Sequence, residues 1–86
     1  MYALFYDYVD NIVERRAPFR DQHLALCKEW KPELVMGGAI GDPPQGALIV
    51  FEVEDAAEVD AFVEADPYMQ NGLVTEHRVV PWNVVV

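Results

Sequence analysis

The chain has two histidines, and the first of them, His23, lies in a segment with helical periodicity. When residues 18–30 are placed on a helix at about 100° per residue, His23 falls on the apolar side instead of the solvent side. A histidine in that position is either a structural residue or part of a functional site. Taken by itself, His23 fits the structural role better. The apolar stripe that it shares consists of Phe19, Leu26, Cys27 and Trp30.

Asp66 is the second residue of interest, because it extends the apolar stripe of a later helix. Val59, Phe62, Val63 and Asp66 follow the spacing i, i+3, i+4, i+7. An ionised carboxylate there faces the negative end of the helix dipole, and its burial is costly without a partner. Two interpretations stay open: Asp66 accepts hydrogen bonds from backbone N–H groups where the helix ends, or it meets His23 from the neighbouring helix.

A pair of His23 and Asp66 would be suited to acid–base chemistry. The carboxylate would fix the imidazole tautomer and stabilise its protonated form, which leaves the other ring nitrogen free to exchange a proton near neutral pH. Tyr68, two residues after Asp66, would add a hydroxyl group at the same rim. We therefore take His23 and Asp66 as the candidate catalytic residues, with a purely structural pair as the alternative.

Other chemistries have weaker support in the sequence. Cys27 lies one helical turn from His23, but a buried cysteine is usually packing, so nucleophilic catalysis is disfavoured. His23, Asp66 and His77 do not have the spacing of a metal motif, and we expect no metal site. Gly37-Gly38 ends a strand and would leave backbone N–H groups open to a ligand, but it is not a phosphate-binding loop.

The elements that must position these residues follow from apolar periodicity and from the prolines. Pro18 suits the first turn of a helix, and Pro32 marks that helix's end. Asp55 and Glu58 form a capping box for a second helix, which stops before Pro67. The predicted strands are 1–8, 34–40, 47–53 and 73–80, and the predicted helices are 18–30 and 56–66, with a helical turn in 12–16 and a loop at 41–46.

The order β-α-β-β-α-β predicts one α+β domain over residues 1–86 with a ferredoxin-like fold. Right-handed crossovers give a four-stranded antiparallel sheet with both helices on one face. The other face needs a cover, since 52% of the residues are apolar. We expect a second copy to supply it, with the VVV tail lying against the partner, so the prediction is a homodimer.

Charge and composition limit the partners. The formal net charge is −9, which repels phosphate backbones and anionic lipids, so we expect neither nucleic acid nor membrane as a partner. Arg15, Arg16 and Arg20 nevertheless form a local basic cluster that suits a small anion. The single cysteine fits a reducing compartment, and no signal peptide or membrane span is evident, so we expect a cytoplasmic protein.

Several short motifs together resemble the YCII family. They are R-x3-R-x2-H-L at residues 16–24, Gly37-Gly38 after the second strand, D-P-Y-x3-G at residues 66–72, and Glu76-His77 in the last strand. The resemblance covers nearly the whole chain and implies a dimeric ferredoxin-like protein, a dimeric α+β barrel, with a catalytic histidine–aspartate pair. Carried over, those roles fall on His23 and Asp66, and substrate-binding roles fall on Arg16, Arg20, Gly38 and Tyr68.

The resemblance also implies an activity. It points to a cofactor-free lyase that removes HCl from a chlorinated hydroxyhydroquinone, a small aromatic substrate, with His23 as general base or proton shuttle. A non-catalytic ligand-binding or interaction module and a cofactor-free aromatic isomerase or monooxygenase are the alternatives, because a fold alone does not decide function. The compact loop GDPPQG departs from many members and leaves the substrate class open.

Overall fold

The computed structural model describes residues 1–86, and its strands and two long helices follow the predicted order. The strands are β1 (Tyr2–Tyr8), β2 (Leu34–Ile40), β3 (Gly46–Phe51) and β4 (Val74–Pro81). The helices are α1 (Ile12–Arg16), α2 (Arg20–Glu29), α3 (Ala56–Ala65) and the single turn α4 (Pro67–Gln70).

The four strands form one antiparallel sheet in the order β2-β3-β1-β4. The central strand β1 pairs on one side with β3, where Leu4 faces Ile49, and on the other with β4, where Leu4 faces Val79. Each long helix follows β1 or β3 and leads to a strand at the sheet edge, which is the ferredoxin-like arrangement. The predicted fold is confirmed.

The core lies between the helices and one face of the sheet. Leu4 and Tyr6 of β1 share that face, because alternate residues of a strand point the same way, and both are at most 1% exposed. Val59, Phe62 and Val63 of α3 pack against them, and α2 adds Leu26 and Cys27. Both helices therefore cover the same face, which brings the C-terminal part of α3 close to α2.

The helix boundaries differ from the predicted ones in two places. Residues 17–19 form a 3₁₀ turn, so α2 begins at Arg20 instead of Pro18, and no side chain caps its first turn. The short helix α4 was not predicted. It begins directly after Asp66, whose side chain accepts a hydrogen bond from the Tyr68 N–H group, and Pro67 suits its first position.

No helix covers the second face of the sheet, which we call the open face. Met36 and Ile40 of β2 are largely exposed there, and Val85 and Val86 of the tail contact little. Trp82 borders a small apolar hollow on this face, and its backbone N–H group donates to the Met1 carbonyl. No helix is both long and apolar enough to cross a bilayer.

Candidate active site

Asp66 occupies the junction between α3 and α4 and is completely buried. Its carboxylate accepts three hydrogen bonds. The Tyr68 N–H group donates to Oδ1 over 3.0 Å, the His23 ring nitrogen Nδ1 donates to Oδ1 over 2.8 Å, and the Tyr6 hydroxyl donates to Oδ2 over 2.8 Å. Both sequence interpretations therefore hold together: Asp66 binds a backbone N–H group where the helix ends, and it meets His23.

His23 projects from the middle of α2 and is 8% exposed. Its ring lies parallel to that of Tyr68, with the centroids 3.9 Å apart and an interplanar angle of 5°. The same segment that supplies the carboxylate therefore also supplies a flat surface for the imidazole. With Nδ1 held by Asp66, the second ring nitrogen, Nε2, is the one left for chemistry.

Tyr6 is a member of this cluster that the sequence interpretation did not assign to the site. Its side chain is buried on the core face, and a buried tyrosine hydroxyl needs a hydrogen-bond partner. That requirement was the available signal, but it did not identify Asp66 as the partner. Burial raises the pKa of Tyr6, and the neighbouring Asp66 carboxylate raises it further, so its hydroxyl stays protonated and acts as a donor.

The environment of His23 favours its protonated form. Burial by itself lowers the pKa of the imidazole, but the hydrogen bond to Asp66, the contact with Cys27 and the charge of the carboxylate outweigh it and raise the pKa to about 9. At neutral pH the resting side chain is therefore an imidazolium. Such a group is ready to donate a proton or to stabilise a nearby negative charge.

The imidazole borders an open cleft of about 530 Å³, a volume within the range of small-molecule sites. One wall is formed by α2 and the other by β2 with the adjacent part of β3. Its lining is mostly apolar. The residues that line it are Tyr8, Arg16, Arg20, His23, Leu24, Cys27, Lys31, Leu34, Val35, Met36, Gly37, Gly38, Ala39, Ala47, Ile49 and Tyr68.

All four residues assigned to substrate binding from the sequence line this cleft: Arg16, Arg20, Gly38 and Tyr68. Burial raises the pKa of Tyr68, whereas the positive charges of Arg16 and Arg20 oppose that rise. A side chain at Gly38 would contact nothing within 4 Å, but one at Gly37 would come within 3.2 Å of Ile49. The absence of a side chain therefore matters more at Gly37.

Two further residues were considered for chemistry in the sequence. The Cys27 sulfur lies 3.8 Å from Nε2 of His23, and both residues line the cleft. His77 is exposed on β4 next to Glu76 and Arg78, away from this cleft. No three His, Cys, Asp or Glu side chains come close enough to one another to hold a metal ion.

Comparisons with known proteins found a matching family model and a similar solved structure. A model of the family described as "YCII-related domain" matches residues 1–83. The chain is also similar to the solved structure of 5-chloro-2-hydroxyhydroquinone dehydrochlorinase from Burkholderia phenoliruptrix AC1100 in complex with 2,5-dihydroxybenzoquinone. The TM-score is 0.80 at 27% identity, over 96% of this chain and 94% of that one. No protein with a curated function matches the chain.

Proposed function

Since the chain belongs to the YCII-related domain family, we propose that it is a cofactor-free lyase that eliminates HCl from a chlorinated hydroxyhydroquinone. His23 is the proton-transfer residue, and Asp66 orients it. The observation that carries the proposal is the 2.8 Å contact between these two side chains at the edge of a cleft of ring size. The similar dehydrochlorinase structure supports the reaction class.

The geometry supports an acid role for His23 at the start of the reaction. Its Nδ1 is held by Asp66, and Nε2 lies on the side of Cys27, which also lines the cleft. With a pKa of about 9, the imidazolium is present at neutral pH. A ring bound in the cleft can therefore receive a proton from Nε2 without a further partner.

The elimination then balances without an external electron acceptor. The substrate loses one hydroxyl proton to solvent, and the carbon that carries chlorine accepts a proton from the His23 imidazolium, which gives a keto tautomer. The neutral imidazole then takes a second hydroxyl proton as the C–Cl bond breaks and chloride leaves with the electron pair. The products are a hydroxyquinone and HCl, and His23 returns to its protonated state.

The remaining cleft residues fit roles in binding. Tyr68 stacks on His23 and holds its ring in place, while Gly38 adds a strip of backbone to the opposite wall. Arg16 and Arg20 line the cleft, where their positive charge would stabilise a phenolate oxygen or the departing chloride. The free Cys27 thiol agrees with a reducing compartment such as the cytoplasm.

The test measures chloride release from 5-chloro-2-hydroxyhydroquinone without oxygen. We expect release by the unmodified protein, and a loss of roughly 10²–10⁴-fold in His23→Gln and in Asp66→Asn, the range that acid–base groups contribute. His77→Gln is the matched control, because it removes the only other histidine, which lies outside the cleft. Circular dichroism establishes that each variant is folded.

The outcomes separate the alternatives. Equal chloride release from all four proteins would mean spontaneous chemistry and would contradict the proposal. Binding of 2,5-dihydroxybenzoquinone, the ligand in the similar structure, without any chloride release would indicate a ligand-binding module instead. Turnover that requires oxygen would indicate a monooxygenase.

We also propose that two copies pair through the open sheet face. The face carries exposed apolar side chains on β2, and Trp82, at the start of the apolar tail, borders a small hollow on it. Joining two such faces removes this surface from water, which is the usual outlet for a contiguous apolar patch. The YCII-like motifs and the ferredoxin-like fold are consistent with such a dimer.

Sedimentation tests this assembly. The unmodified protein should sediment at twice the 9.8 kDa mass of one chain. Leu48 of β3 lines the same hollow as Trp82, so Leu48→Lys places a charge on the open face and should shift the protein to monomer. Val13→Lys on α1, at a residue that is 52% exposed, should not. A monomeric unmodified protein would contradict the pairing.

A further inference from the structure

Tyr6 is a buried titratable residue to which the proposed reaction gives no task. It lies on β1, is 1% exposed and does not line the cleft. Its hydroxyl donates to Oδ2 of Asp66 over 2.8 Å, and Nδ1 of His23 donates to Oδ1 of the same carboxylate over 2.8 Å. The polar link between Tyr6 and a ring bound in the cleft therefore runs through Asp66 and His23.

The two oxygens of the Asp66 carboxylate have different partners. Oδ1 accepts from His23 and from the Tyr68 N–H group, whereas Oδ2 accepts from Tyr6. Tyr6 is the one partner that the sheet supplies, and its hydrogen bond fixes the rotation of the carboxylate about the Cβ–Cγ bond. That rotation determines whether Oδ1 points at the imidazole. Because Asp66 is completely buried, bulk water cannot replace this donor.

The hydroxyl also changes how strongly Asp66 attracts the proton of His23. A hydrogen bond to an anion stabilises its negative charge, so the charge acts less strongly on a second donor to the same carboxylate. Burial raises the pKa of Tyr6, and the Asp66 carboxylate raises it further, so the hydroxyl keeps its proton over the pH range in which His23 titrates. Tyr6 is therefore a permanent donor to Asp66.

The other titratable groups near His23 have different positions. The Cys27 sulfur lies 3.8 Å from Nε2, the ring nitrogen that does not contact Asp66, and the Tyr68 ring stacks on the face of the imidazole. The remaining groups line the same cleft, namely Tyr8, Arg16, Arg20 and Lys31. Besides His23 itself, Tyr6 is thus the only residue whose side chain donates to the carboxylate.

We propose that Tyr6 is a positioning residue of this site: by sharing the Asp66 carboxylate, it keeps Oδ1 aimed at His23 and limits how tightly the imidazole proton is held. Its kinetic consequence rests on the proposed function. A general acid is most effective when its pKa is near the working pH, and the pKa of His23, about 9, is already above neutrality. Without Tyr6 the imidazolium would be a weaker acid and would protonate the ring more slowly.

An NMR titration of His23 in the His77→Gln background tests the shared carboxylate directly. Tyr6→Phe keeps the aromatic ring and removes the donor, so the pKa of His23 should rise by roughly 0.5–1. Replacement of Tyr6 by 3-fluorotyrosine keeps the hydroxyl and makes it a stronger donor, so the same pKa should fall. Tyr2→Phe is the matched control on the same face of β1 and should leave the pKa unchanged.

A residue that only fills space would give a different result. If the loss of the hydroxyl merely loosened the contact between Asp66 and His23, the pKa of His23 in Tyr6→Phe would fall toward its ordinary value of 6.5, and the proposal would be overturned. An unchanged pKa in both Tyr6 variants would also overturn it. If Tyr6→Phe does not fold, the 3-fluorotyrosine protein decides, because a change in donor strength alone distinguishes the two roles.

Chloride release from 5-chloro-2-hydroxyhydroquinone gives the kinetic measurement. In Tyr6→Phe we expect kcat to fall about threefold to tenfold with KM unchanged, because Tyr6 does not line the cleft. The alkaline decline of kcat should move to higher pH together with the pKa of His23. A protein that releases no chloride but shows the expected pKa changes would lose the proposed reaction and keep the role of Tyr6. Chloride release with an unshifted pH profile and an unchanged pKa would keep the reaction and remove that role.

Discussion

Helix α3 is flanked by two aspartates that perform the same local task in opposite environments. The carboxylate of Asp55 accepts a hydrogen bond from the Ala57 N–H group over 3.0 Å, and that of Asp66 accepts one from the Tyr68 N–H group over the same distance. Each residue thereby caps the helix that follows it. Asp55 is exposed to solvent, whereas Asp66 is completely buried.

The difference shows how an ordinary helix cap becomes part of a site. A carboxylate has more acceptor positions than one cap requires, and at Asp55 water can satisfy the rest. At Asp66 water is excluded, so the remaining positions must be filled by protein donors, and His23 and Tyr6 fill them. Because Asp66 is buried, protein groups must donate to its remaining acceptor positions. One of these groups is His23, and the carboxylate thereby polarises the imidazole at the edge of the cleft.

The largest expected effect is that of Asp66→Ala, which leaves three buried donors without an acceptor. Removal of one partner from a buried ion pair costs about 3–5 kcal/mol. Since small domains are stable by only about 5–15 kcal/mol, the variant should be close to unfolding at 25 °C. Urea denaturation measures the loss, with Asp60→Ala on the exposed side of α3 as control. A loss no greater than that of the control would contradict the role of Asp66.

The second prediction concerns pH. The pKa of His23 is about 9 in the folded protein and about 6.5 in the unfolded chain, so the folded state binds the proton more tightly. The free energy of unfolding that comes from this pair should therefore be fully present below pH 6.5 and be lost as the pH rises through 9. Urea denaturation at pH 6 and pH 9.5 measures it, and His23→Gln should lose less over the same interval.

The ring signals of His23 give an independent measurement of the same effect. Asp66→Asn keeps the shape of the side chain but removes its charge, so it should lower the pKa of His23 by roughly 1–3. An NMR titration detects this change, and the His77→Gln background leaves one imidazole signal for assignment. An unchanged pKa would mean that the carboxylate is not what stabilises the imidazolium.

The fold and the pair could be predicted from the sequence because both depend on periodicity. The helical stripes identified the core-facing sides of the helices, and the stripe through Val59 and Phe62 extended to Asp66. The capping box at Asp55 is present in the structure, as predicted. These features need only local spacing and the packing rules of a four-stranded sheet.

Other parts of the site depend on tertiary contacts that spacing does not contain. The partner of Tyr6 is 60 positions away in the chain, and nothing local identifies it. The parallel stacking of Tyr68 on His23 depends on α4, which was not predicted because its four residues are too few for a periodic pattern. The predicted start of α2 at Pro18 was wrong, because proline fits a 3₁₀ turn as well as the first turn of an α-helix, and the sequence does not distinguish the two.

A smaller effect is expected for Tyr6→Phe, which removes one donor from Asp66 while keeping the aromatic ring. A hydrogen bond to a charged group contributes about 1.5–3 kcal/mol, and the buried carboxylate would lose one of three. Urea denaturation measures the change, and Tyr2→Phe on the same face of β1 is the control because its hydroxyl makes no side-chain hydrogen bond within the chain. Equal stability of the two variants would contradict the role of the Tyr6 hydroxyl.

The smallest effect is expected at the exposed end of the helix. Asp55→Ala removes the cap and one half of the capping box with Glu58, and losing such a cap costs about 1 kcal/mol. Water replaces the lost oxygen, because the N–H groups concerned are at the surface, so no buried donor is left without a partner. The pKa of His23 should be unchanged, since that ring is held from the other end of the helix. A lower pKa of His23 in Asp55→Ala would mean that the position of α3 as a whole, and not the burial of Asp66 alone, determines the state of the imidazole.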